Sequence, residues 1–288
     1  MAAYHTRSNS LPSRQQHPLI PEFDQQLCRL RSSGAASSSS SSSVASKLSG
    51  LQDLHDYLDR FLLLPLNQRA LSREQNEKCV DEILEGSLRL LEVCNTAKDA
   101  LLQIKESTQE LQSIMRRRRS GEMNLSSEIK KYLGSRKVVK KALFKAMENR
   151  CNFRSLNKDQ ETVEVVNMMR EVESITLTIF ESLISFMSGP KSSKSSGWSL
   201  VSKIINTKRV ACEDIIISNE SNEFVSADAA LNMLISQKLK KSDIMIEDTA
   251  QKELQKLELC IQDLEEGVES HYRRLIKTRV SLLNILSH

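Results

Sequence analysis

From Ala250 to Ile285 the chain carries a stripe, apolar but for one His and one Thr, at every third or fourth position: Ala250, Leu254, Leu257, Ile261, Leu264, Val268, His271, Leu275, Thr278, Leu282 and Ile285. Strands repeat every two residues and loops do not repeat. Alternating steps of four and three keep these positions on one side of an α-helix. A helix over 242–286 is about 65 Å long at 1.5 Å per residue. Its stripe needs helical neighbours of similar length, so the spacing predicts an all-α protein, an elongated bundle of long antiparallel helices. Leu254, Leu257, Ile261, Leu264, Val268, Leu275 and Leu282 are its central seam. Such a coiled-coil-like seam can be covered within one chain or by a second copy.

The rest of the chain agrees. Eight Gly and five Pro in 288 residues are too few for the turns of a sheet-rich fold, and aromatics at 4% leave little for base-stacking platforms. Helical spacing predicts one domain over 46–288, with helices near 46–64, 73–115, 126–149, 159–187, 198–210, 227–240 and 242–286. Leu48, Leu51, Leu54, Leu58, Phe61 and Leu62 stripe the first, which Pro65 stops. Ser72 is the expected N-cap of the second, striped by Val80, Leu84, Ser87, Leu91, Cys94, Ala97, Leu101, Ile104, Thr108, Leu111 and Met115. Ile129, Leu133, Val139, Ala142, Leu143 and Ala146 are expected inward on the third, and Val165, Met169, Val172, Ile175, Ile179, Leu183 and Phe186 on the fourth. Ile215–Ile217 reads as a short strand, and 188–197 as a loop.

Residues 1–45 read as a disordered, Ser/Arg-rich arm ending in the Ser37–Ser43 run. The arm's few acids overlap with an organellar transit peptide, but Pro12, Pro18 and Pro21 break the helix that import requires. No apolar signal core and no stretch long enough to cross a bilayer is present. The expected location is intracellular and cytoplasmic, with nucleus or membrane periphery as alternatives. Six Cys lack metal-ligand spacing, which fits free thiols packed as small hydrophobes.

Nothing points to catalysis. The chain contains no GxSxG, HExxH, GxxxxGK[ST] or GxGxxG. No catalytic, metal or cofactor residues are assigned and no cofactor is expected. His55 and His271 sit in helical patterns and read as packed or solvated side chains. The expectation is a non-catalytic interaction or scaffold protein.

Two segments carry interaction signals. In Arg7-Ser8-Asn9-Ser10-Leu11-Pro12 the Arg three residues before Ser10 suits a basophilic kinase. The hexad resembles the phosphoserine motif bound by 14-3-3 adaptor proteins, which makes Arg7, Ser8, Ser10 and Pro12 candidate docking residues. The second is a basic block: Arg116, Arg117, Arg118 and Arg119, then Lys130, Lys131, Arg136, Lys137, Lys140 and Lys141. From Arg116 to Lys145 the net charge is +9, and from Asp243 to Ser270 it is −7. The block reads as a solvated surface or one paired with the acidic final helix. Attraction to anionic membrane lipid is an alternative, and nuclear import or nucleic-acid contact another. The acidic helix makes nucleic acid the weaker partner, since it repels a phosphate backbone. Arg273, Arg274, Lys277 and Arg279 suit the negative end of the last helix dipole.

Seven stretches carry a wider resemblance: Arg7–Ser13 with His17-Pro18, Leu51–Leu66, Ile83–Lys105, Leu111–Arg119, Tyr132–Lys141, Trp198–Lys203 and Tyr272–His288. Through them the chain resembles the plant-specific BYPASS-like family, domain of unknown function 241. The Ser37–Ser43 run and residues 212–224 match nothing in it. The resemblance implies a helical, plant-specific protein connected with root and shoot development. It supplies no biochemical activity and no catalytic or ligand-binding residue to carry over.

Overall fold

The structure, a computed structural model, describes residues 19–35, 40–72, 77–118, 125–151, 164–189, 222–236 and 243–287. Among them are eight helices and no strand: α1 (Leu19–Ala35), α2 (Ser41–Leu62), α3 (Pro65–Ser72), α4 (Glu77–Arg118), α5 (Leu125–Cys151), α6 (Glu164–Ser188), α7 (Glu223–Ser236) and α8 (Asp243–Leu286). The all-α class is as the spacing predicts. The 198–210 helix and the Ile215–Ile217 strand fall outside the described residues.

Four helices close a ring around the core, in the order α2, α8, α4, α6. Side-chain pairs fix their directions. Gln109 with Glu258 and Cys94 with the Val268 carbonyl set α4 antiparallel to α8, while Lys47 with Ser182 and His55 with Thr176 set α2 antiparallel to α6. The other two sides run parallel. Gln52 reaches the Gly267 carbonyl and Asp59 meets Thr278, while Glu82 pairs with Arg170 and Arg89 with Glu173.

Every residue of the predicted α8 stripe is buried. It is covered by α2, α4 and α7 of the same chain, so the seam is spent on the fold. The α4 stripe is broader than expected. Ile83, Leu90, Val93 and Ala100 are buried as well, because α6 and α5 pack beside α8, whereas Val80, Leu84, Ser87 and Leu91 sit half-buried at its edge.

Three local expectations are corrected. The 1–45 arm is helical over Leu19–Ala35, where Phe23, Leu27 and Leu30 pack into the core and Pro21 is absorbed within the first turn. Leu30 comes so close to Gly50 that a Cβ there would lie 2.9 Å from its Cδ2. The serine run is not wholly part of the arm, since Ser40 caps α2 and Ser41–Ser43 form its first turn. Ser72 does not cap α4. It ends α3, and its hydroxyl reaches the carbonyls of Gln68 and Ile285. Pro65 stands where the stripe of α2 stops, as expected, and it opens α3 at the first helical position, where its missing N–H costs nothing.

Candidate functional site: the lysine face of α5

The inner side of α5 reads Leu125, Ile129, Tyr132, Arg136, Val139 and Leu143, all buried, at steps of four, three, four, three and four. One member of that seam is an arginine. Arg136 is 2% exposed, and its environment answers its charge in three ways. Nη2 donates to the Met187 carbonyl at 3.0 Å, Nε pairs with Asp228 Oδ1 at 3.3 Å, and the guanidinium lies 5.1 Å from the centre of the Phe224 ring. Met187 belongs to the last turn of α6, where carbonyls lack helical partners and the dipole is negative, so a buried cation is stabilised there. Lys140 Nζ reaches the other oxygen of Asp228 at 2.9 Å.

The same corner is locked from α7. Asn222 accepts from the amides of Phe224 and Val225, capping α7, and its Nδ2 donates to the Phe186 carbonyl at 2.6 Å. Gly189, with φ +71, closes α6 in the left-handed conformation that glycine adopts without a Cβ clash.

With its inner side pinned, α5 presents its outer side to solvent. Lys130, Lys137, Lys141 and Lys145 follow one another at steps of seven, four and four, opposite the seam. Lys131, Gly134, Val138 and Ala142 are exposed beside them, Val138 at 63%. Lys131 pairs with Glu110 of α4 at 2.9 Å, which holds its ammonium pKa above the ordinary value. Among the described residues no ion pair engages Lys130, Lys137, Lys141 or Lys145.

The predicted basic block therefore divides. Arg136 and Lys140 are structural, because both are spent on Asp228. Lys130, Lys137 and Lys141 form the outer face with Lys145, which lies beyond the predicted block, and Lys131 is tied to α4. Arg116 and Arg117 are exposed in the last turn of α4. The side chain of Arg118, and Arg119 altogether, fall outside the description, as do Arg7, Ser8, Ser10 and Pro12. The signal for Arg136 was in the sequence: it completes the step of four and then three from Tyr132 to Val139.

Pairing of the basic block with the acidic final helix is not what the structure shows. The α8 carboxylates Glu265 and Glu269 are met by Lys105 and Lys98 of α4, at 2.5 and 2.6 Å. Nor do the C-terminal cations serve the dipole. Arg274 and Lys277 pair with Asp56 and Asp59 of α2, and Arg279 Nη1 donates to the Leu84 carbonyl.

A family model described as Protein BPS1 matches residues 47–285. The chain belongs to the BYPASS-like family. The match starts inside α2 and runs almost to the end of α8, taking in the closed ring and the lysine face. Helix α1 precedes it, as does the Arg7–Pro12 motif. No curated protein sequence and no solved structure shows significant similarity to the chain. Among the described residues, no helix is long and apolar enough to cross a membrane.

Proposed function

We propose that this protein is a non-catalytic helical docking module of a plant developmental pathway, with the lysine face of α5 as its working surface. Membership of the BYPASS-like family supports the developmental context. The observation that carries the docking role is the division of α5 itself. A buried arginine anchors one side while four lysines without partners among the described residues line the other. Desolvating an arginine is expensive, and the orientation of the helix is fixed by the carboxylate, carbonyl and ring that offset the cost on this side. The α8 seam is not available as an alternative surface, since its apolar residues are consumed within the chain.

The test is rescue of plants lacking the protein. Wild-type chain should restore root and shoot growth. A chain carrying Lys130→Glu, Lys137→Glu, Lys141→Glu and Lys145→Glu should accumulate normally and fail to do so. Full rescue by that variant would remove the lysine face from the protein's function.

A 14-3-3 adaptor held by phospho-Ser10 is a second, separate partner proposal. It is supported by the Arg7–Pro12 sequence alone, and loss of adaptor capture in Ser10→Ala is the outcome it requires.

A further inference from the structure

We infer that the counterpart of the lysine face is an anionic lipid bilayer, which the protein touches peripherally without inserting. This rests on the docking reading above and names what is docked. The stripe from Lys130 to Lys145 extends about 22 Å along a helix that lies on the outside of the bundle, so it meets a flat surface more readily than a concave one. All four of its cations are lysines. These are flexible point charges suited to mobile headgroups, where arginine would favour fixed bidentate pairing.

The face also lacks what other partners need. A stable protein interface is built around buried aromatic or large aliphatic anchors. Here Val138 is the one large apolar side chain exposed among the lysines, with Gly134 and Ala142 beside it. Single-stranded nucleic acid calls for aromatic stacking, and the exposed positions of α5 between 127 and 145 carry no aromatic side chain. For duplex DNA the acidic outer residues of α8 are unfavourable, whereas an extended anionic plane requires only that one side of the molecule be positive. The exposed Arg116 and Arg117, at the end of α4 from which the chain returns as α5, add charge near the start of the stripe.

The experiment is sedimentation of the full chain with vesicles of phosphatidylcholine alone, or of phosphatidylcholine mixed with phosphatidylserine, at low and high salt. Binding should require phosphatidylserine and fall steeply with salt. The four-lysine Lys→Glu variant should lose it by about a thousandfold, since each basic residue near the surface contributes about fivefold. A control reversed instead at the exposed Arg29, Arg69, Lys252 and Lys256 has the same net charge and should keep most of it. Circular dichroism should show both variants as helical as wild type.

Equal loss in both variants would reduce the effect to net charge and overturn the inference. So would vesicle binding that survives reversal of the lysine face, or tighter binding to duplex DNA than to anionic vesicles. Absence of vesicle binding, with rescue still dependent on the four lysines, would refute the lipid partner and leave the docking reading standing with an acidic protein in its place.

Discussion

His55 of α2 and His271 of α8 meet edge to face in the middle of the bundle, their ring centroids 4.7 Å apart and their planes at 84°. Both are essentially inaccessible to solvent, at 1% and 0% exposure. Thr176 spends its own proton on the Val172 carbonyl at 2.7 Å, so its oxygen accepts from His55 Nε2 at 3.0 Å. That fixes the His55 tautomer with the proton on Nε2. Phe180 flanks the His271 ring at 5.5 Å, and neither nitrogen of His271 has a hydrogen-bond partner among the described residues. The pair is buried neutral and packs as two flat rings.

Acid should therefore unfold the protein through this pair. Burial lowers the His55 pKa to about 4; Asp56 opposes the shift and Arg274 adds to it. Burial also holds His271 well below the ordinary value, reinforced by His55 and Arg274. The unfolded chain takes up protons near pH 6.5 and the folded chain does not. The stability is thus fully present above about 6.5 and is lost as pH falls toward about 4. For His55 this is about 3 kcal/mol. Replacing both histidines with Phe or Leu should flatten the dependence of Tm on pH across that window, read by circular dichroism. An unchanged slope would assign the acid sensitivity elsewhere.

Arg136 should be the costliest single position in α5. Arg136→Ala leaves Asp228 short of one cation, leaves the Met187 carbonyl unpaired and opens a cavity. A loss of about 3–5 kcal/mol is expected, read from urea unfolding. Arg136→Met fills the space and should be milder, and Arg136→Met with Asp228→Asn milder again. Lys137→Ala, one residue away but exposed, should change stability by less than about 0.5 kcal/mol.

The α8 seam should behave as the core of one chain. Leu264→Ala should cost about 2–5 kcal/mol, with a Tm independent of protein concentration. A Tm that rises with concentration would show that a second copy completes the seam. Leu259, exposed on the same helix, should tolerate Ala with little change.

The cysteines should separate by reactivity. Cys28 is exposed, while Cys79, Cys94 and Cys260 are buried free thiols, and burial pushes Cys94 and Cys260 up to about 12. In the folded chain a thiol reagent should label Cys28 readily and leave these three unmodified until denaturant is added. Their rapid labelling in buffer would contradict the packing described here.

The bundle was legible in the sequence where one helix face meets one neighbouring layer. The α8 stripe was read correctly to the last position, His271 and Thr278 included, because its 4-3 spacing is unbroken. The outward turn of Ala142 was not, since Ala is silent about burial and the Ile129–Tyr132–Arg136 seam was hidden by an arginine inside a basic run. Polar residues of α2 such as Lys47 and Asp59 were missed for a similar reason. They are buried by contacts to Ser182 and Thr278, more than a hundred residues away, which no local pattern announces. The parallel pairing of α2 with α8 was likewise invisible, because it depends on connections far longer than a turn. For the candidate site, the block of charge was evident. Which of its residues point outward required the position of Asp228.

If Arg136 anchors α5 so that the lysines opposite it do the docking, reversing those lysines should displace the protein without unfolding it. The most direct measurement is the distribution of a fluorescently tagged chain in root cells, beside the Lys130→Glu, Lys137→Glu, Lys141→Glu, Lys145→Glu variant, with Tm measured on both purified proteins. Wild-type protein should lie at the cell periphery, and variant protein should be diffuse in the cytosol with its Tm within a few degrees of wild type. A variant that folds equally well and stays where the wild type is found would contradict the docking role of the lysines.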